Sequence, residues 1–186
     1  GDTEGWPMVV ITPSILTQFD MYKLTIPHEF FHAVQNAAGN WDYDEQSGWF
    51  WESTAVYMEY EAHPEDPMYS VFLFGFAFLP HKALNFFDYF DTGAIQEYYQ
   101  YGAFIFSKYL TEYHVDSDWI RDAWISPGNA TDPLSYLQDR AESEGMNFEK
   151  MLIDFASRMA VLDFEHRDWY QYYLDYYAEY YPGDDH

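Results

Sequence analysis

The chain has 186 residues, enough for one domain with a true hydrophobic core. It carries 32 acidic against 8 basic residues, a formal net charge of −24, which argues against binding to nucleic acid or to an anionic membrane surface. It contains no cysteine, so disulfides and thiolate metal ligation are both excluded and any metal must sit on His, Asp or Glu.

The chain begins GDTEGWPMVV without an initiator methionine, and is expected to be a single domain over residues 1–186 cut from a longer precursor. PMVVIT, residues 7–12, is β-branched and bounded by prolines, which predicts a short strand. Helical spacing follows over about 19–38, interrupted by Pro27, which either starts the helix or bends it. WDYDEQSG, 41–48, is a polar loop, and a second helix is predicted over about 49–62, stopped by His63-Pro64. Residues 69–87 are mostly aromatic and aliphatic and read as a buried helix with a turn near Pro80. Their apolar run is far too short to span a bilayer, so no membrane insertion is expected. Helical periodicity continues over 96–113 and 119–125. SPGNATDP is a loop containing the sequon Asn129-Ala130-Thr131. Two helices are predicted over 133–144 and 147–162, with Asp132 and Asn147 as their N-caps, and a Tyr-rich helix over 168–181. The expected fold is mainly α (α+β), with a little β at the start.

The chemistry concentrates in TIPHEFFHAVQNA, residues 25–37. Residues four apart share a helix face, so His28 and His32 can aim two imidazoles at one ion. Glu29 is rotated by about 100° from His28, too far round to be a ligand but able to hold a water beside the metal. Two ligands plus a general base is the content of HExxH. A catalytic zinc needs a third protein ligand. WFWESTAVYMEY supplies Glu52 on the next helix, nineteen residues after His32. Its apolar setting makes an unpaired carboxylate costly. The alternative HExxHxxGxxH pattern fails, because Gln35 and Ala38 stand in the required places. Glu59, two turns beyond Glu52, shares that face and can hydrogen-bond a ligand histidine or remain solvated.

On HEFFH and WFWESTAVYMEY the chain resembles the gluzincin zinc metallopeptidases, closest to a loosely characterised group of secreted bacterial metalloproteases. Thermolysin-like enzymes share the nineteen-residue gap, and aminopeptidase N-like enzymes share the Glu-x-x-Ala context of Glu52 and Ala55. The resemblance covers about residues 24–62, with a weaker match at 98–110. It implies a thermolysin-like catalytic helical subdomain, with zinc on His28, His32 and Glu52 and Glu29 as the base for water. It also implies an oxyanion donor. The Tyr-x-x-Gly segment of aminopeptidase N-like enzymes aligns on Gly102 and puts Tyr99 in that role. Tyr98 and Tyr101 are neighbours able to take it, and His63 and His81 are alternative donors. The chain departs from the group in two places. It has no GxMEN-like exopeptidase motif, and the residue four after the ligand glutamate is Val56 rather than an aspartate that would orient a histidine.

The leading expectation is an extracellular zinc endopeptidase acting on peptide or protein substrates. The alternative is a non-catalytic, zinc-stapled module whose acidic, Tyr-rich surface associates with itself or with another extracellular protein. A zinc hydrolase of a non-peptide bond is a third reading. For so acidic a surface, calcium is a further candidate cofactor.

Overall fold

The computed structural model describes residues 22–88 and 94–181. Among these residues the fold is all α. The strand expected at 7–12 lies outside them, so the β part of the expectation has no counterpart here. No described helix is long and apolar enough to cross a membrane.

The first helix, α1, spans Tyr22–Ala38 and the second, α2, spans Gly48–Ala62. Pro27 lies inside α1, so the helix neither starts at the proline nor stops there. α2 is the central element, with its residues from Gly48 to Tyr57 almost all buried. That burial explains why its sequence is apolar all round rather than striped. α1 packs along α2, and Trp41 and Trp124 help seal the end of the pair. The indole of Trp124 lies parallel to Phe50 at 5.3 Å, and its N–H donates to Thr54 Oγ1 at 3.2 Å.

The aromatic stretch after α2 is not one helix. Asp66 caps a 3₁₀ turn at Pro67–Ser70, and a short helix, α3, follows at Leu73–Ala77. Pro80 disfavours helical geometry at the residue before it, which accounts for the early stop. The helix expected over 96–113 is also divided, into a 3₁₀ turn at Ile95–Tyr98, α4 at Tyr99–Gly102 and α5 at Phe104–Tyr113. Close packing of α3 on α4 explains the division. A Cβ on Gly75 would lie 2.5 Å from the Tyr98 carbonyl carbon, and one on Gly102 would lie 2.6 Å from the Phe72 carbonyl oxygen. Each segment thus presses its backbone into the other's glycine. At Ala103 the backbone opens to ψ −6°, which redirects the chain into α5.

The remaining helices lie close to expectation: α6 Asp118–Ile125, α7 Pro133–Ser143, α8 Phe148–Met159 and α9 Arg167–Ala178. Asp132 caps α7 through the backbone N–H of Ser135, and Asn147 caps α8 through that of Lys150. α2 therefore meets α1 on one side and α4 and α5 on the other. This places the two histidines of α1, Glu52 and Glu59 of α2 and Tyr101 of α4 around one point.

Candidate metal centre

His28, His32 and Glu52 converge between α1 and α2, each offering one ligand atom, all within 4.8 Å of one another. Glu52 Oε2 stands 3.4 Å from His28 Nε2 and 3.5 Å from His32 Nε2. Donor atoms around a four-coordinate ion at about 2.0–2.1 Å stand about 3.4 Å apart, so the two edges to Glu52 match such an ion. The donor set could hold a metal.

The far side of each ligand is fixed. His28 Nδ1–H donates to Glu59 Oε1 at 2.7 Å, which turns Nε2 towards the centre. His32 Nδ1–H donates to Gln35 Oε1 at 2.6 Å. The Gln35 amide can turn only one way, because its Nε2 donates to the Trp51 carbonyl at 2.9 Å and to Thr54 Oγ1 at 3.1 Å. Gln35 is wholly buried, so this chain of bonds sets the His32 tautomer from the core outward. The Tyr43 hydroxyl donates to Glu52 Oε1 at 2.6 Å and leaves Oε2 as the inward oxygen. Tyr43 is held edge-on to Trp51 and Phe87.

Glu59 therefore takes the supporting role open to it from its position on α2. Gln35 and Tyr43 are further supports. Gln35 carries a readable signal, three residues after His32 on the same face. Tyr43 carries none, being one loop tyrosine among 19.

Glu29 sits beside His28 on the exposed side of α1. Tyr99 does not face this centre. It is buried, with its hydroxyl donating to the carbonyls of Ala83 at 3.0 Å and Lys82 at 3.2 Å. Its neighbour Tyr101 does face the centre: its ring is stacked on His28 at 6.2 Å and 27°. A two-residue step along α4 turns a side chain by about 200°, which explains why only one of the two tyrosines points here. His63 lies 3.9 Å from Glu65 beyond the end of α2, and His81 is exposed after α3; neither joins the converging group.

A model of a family of unknown function, DUF6055, matches residues 1–181. The chain belongs to DUF6055. No curated protein and no solved structure matches it.

In this DUF6055 chain the protein's own groups already show what the centre favours. Burial works against a charge on His28, but the hydrogen bonds to Glu52 and Glu59 outweigh it and raise the imidazole to about 9. Burial works against ionised Glu52 too, but the hydrogen bonds from His28, His32 and Tyr43 outweigh it and bring the carboxyl down to about 2. For Glu59 burial prevails, and its carboxyl stays above the ordinary range despite the bond from His28. A positive charge on His28 is thus stabilised by its hydrogen bonds to two buried acids, Glu52 and Glu59. A divalent cation bound here would take the place of the His28 proton.

Proposed function

We infer that this chain is a zinc-dependent peptidase that hydrolyses bonds within peptide chains, with α1 and α2 as its catalytic helix pair. The observation that carries this reading is the convergence of His28, His32 and Glu52, with both edges to Glu52 at the spacing of a four-coordinate ion and Glu29 exposed on α1 next to His28 in sequence. Two imidazoles and one carboxylate suit zinc, whereas calcium and magnesium favour all-oxygen sites. The gluzincin likeness agrees with this, and the thermolysin-like part of it extends no further than these two helices.

Zinc, when bound, supplies a Lewis acid and lowers the pKa of water. Glu29 orients the attacking water, takes its proton and passes it to the departing amine. The exposed position of Glu29 suits this work, since it must meet substrate, whereas the buried Glu52 and Glu59 suit the roles of ligand and support. Tyr101, packed on His28, donates a hydrogen bond to the carbonyl oxygen as negative charge develops there. Tyr99 is not suited to this role, since it lies away from the centre with its hydroxyl on the carbonyls of Lys82 and Ala83. An extracellular setting accompanies this reading and rests on the family resemblance.

The test is cleavage of casein or a mixed peptide library by zinc-loaded protein. Glu29→Gln should lower turnover by roughly 10²–10⁴-fold with zinc content unchanged. Full activity in that variant overturns the mechanism. Folded, zinc-loaded protein that cleaves no peptide supports the second reading, a zinc-stapled interaction module. The exposed Tyr172 and Tyr176, four apart on one side of α9, and the exposed Tyr180 just past its end favour it.

A further inference from the structure

A cavity of about 750 Å³ opens between the segment after α3, the end of α8 and the start of α9. Its volume lies within the roughly 300–1,000 Å³ of small-molecule sites. The walls are apolar and include Phe76, Leu84, Tyr99, Phe155 and Leu174. Tyr99 earns its burial here, since its two backbone hydrogen bonds tie the 82–83 loop against this wall.

Three observations point to the chemistry of an occupant. The first is charge. Sixteen residues line the cavity, and on this chain's composition about three should be acids, yet none is. Two of the chain's eight bases are there instead, Lys82 and Arg167. The second is their lack of acidic partners. Lys108, Arg121, Arg140 and Arg158 all face carboxylates within 4 Å, whereas Lys82 and Arg167, like Lys150 on α8, are ion-paired to no described acid. Lys82 lies instead over the Phe86 ring, 4.1 Å from its centroid. The third is strain in the wall. Leu162, just past the end of α8, has φ +50°, where a glycine would be unstrained, yet its buried side chain lines the cavity.

We propose that this cavity binds an amphipathic carboxylate of the fatty-acid class, its alkyl chain along the Phe76, Phe155 and Leu174 walls and its carboxylate at Lys82 and Arg167. A guanidinium and an ammonium facing no described acid match a carboxylate head, and the apolar walls match its chain. A chain of net charge −24 disfavours anion binding in general, so an anion here would lean on these two bases. The site is separate from the metal centre and does not depend on the peptidase reading.

The test is titration of the full chain with a fluorescent C11–C16 fatty acid at about 0.15 M salt, followed by displacement with dodecanoate and with dodecanol. Expected are saturable one-to-one binding and displacement at least about tenfold better by dodecanoate than by dodecanol. The double variant Lys82→Glu, Arg167→Glu should weaken binding at least about tenfold with circular dichroism and zinc content unchanged. Ala156→Trp, which puts an indole into the space, should abolish it. No saturable binding, equal displacement by the alcohol, or full binding by a folded charge-reversed variant would each overturn the proposal.

Discussion

Replacing Glu59 separates the contribution of the hydrogen bond behind the metal ligand from that of its charge. Glu59 accepts from His28 Nδ1–H at 2.7 Å, with both side chains about nine-tenths buried. Supports of this kind are worth roughly 10–100-fold in metal affinity, or about 1.4–2.7 kcal/mol. Glu59→Gln keeps an acceptor oxygen, and so keeps the tautomer that leaves Nε2 free, but removes the negative charge. It belongs at the lower end, about tenfold. Glu59→Leu removes both, so the ring is no longer held in one tautomer, and the loss should approach about 100-fold. The assay is zinc competition against a chromophoric chelator at pH 7.5, with folding checked by circular dichroism. Unchanged affinity in both folded variants would refute the claim that Glu59 aims His28. Equal losses in the two would refute the division between charge and tautomer.

Tyr43→Phe removes the hydroxyl on Glu52 Oε1 and should weaken zinc binding by about 1 kcal/mol, roughly fivefold, in the same competition assay. Tyr101→Phe should lower kcat about 100-fold with zinc content intact, while Tyr99→Phe should leave kcat near wild type and destabilise the fold by about 1–3 kcal/mol in urea. Gly102→Ala forces the α3 backbone away and should cost about 1–3 kcal/mol by the same measurement. In chelated protein, Glu52 at about 2 against an ordinary 4.5 stabilises the fold above about pH 4.5 and loses this as pH falls towards 2. His28 at about 9 against an ordinary 6.5 stabilises it below about pH 6.5 and loses this as pH rises through 9. Thermal unfolding of wild type minus that of His28→Gln should therefore show its largest gain below about pH 6.5 and shrink by about pH 9.

The candidate metal-binding group was legible because helix geometry makes it local: His28 and His32 are one turn apart, and Glu52 lies on the next helix across a short loop. The same periodicity puts Glu59 on that face, but it favours a solvated acid there as readily as a partner of His28, and burial against α1 decides between them. Gln35 was less visible, since its role depends on Trp51 and Thr54, which α2 brings to it. The choice between Tyr99 and Tyr101 was not legible. An unbroken helix over 96–113 was the natural reading of the periodicity, and the break at Ala103 arises from a backbone contact with α3. The aromatic stretch before it was misread as a single helix for a related reason. Phe72, Phe74 and Phe76 pack against different partners, Tyr98, Tyr177 and Tyr99, and those partners shape the segment more than its own periodicity does.

The central claim is that His28, His32 and Glu52 bind one zinc ion. Zinc K-edge X-ray absorption on protein loaded with one equivalent tests it most directly. The account predicts a four- or five-coordinate shell at about 2.0–2.1 Å with two imidazoles, and one imidazole fewer in His32→Ala. An all-oxygen shell, or a shell unchanged by His32→Ala, would contradict it.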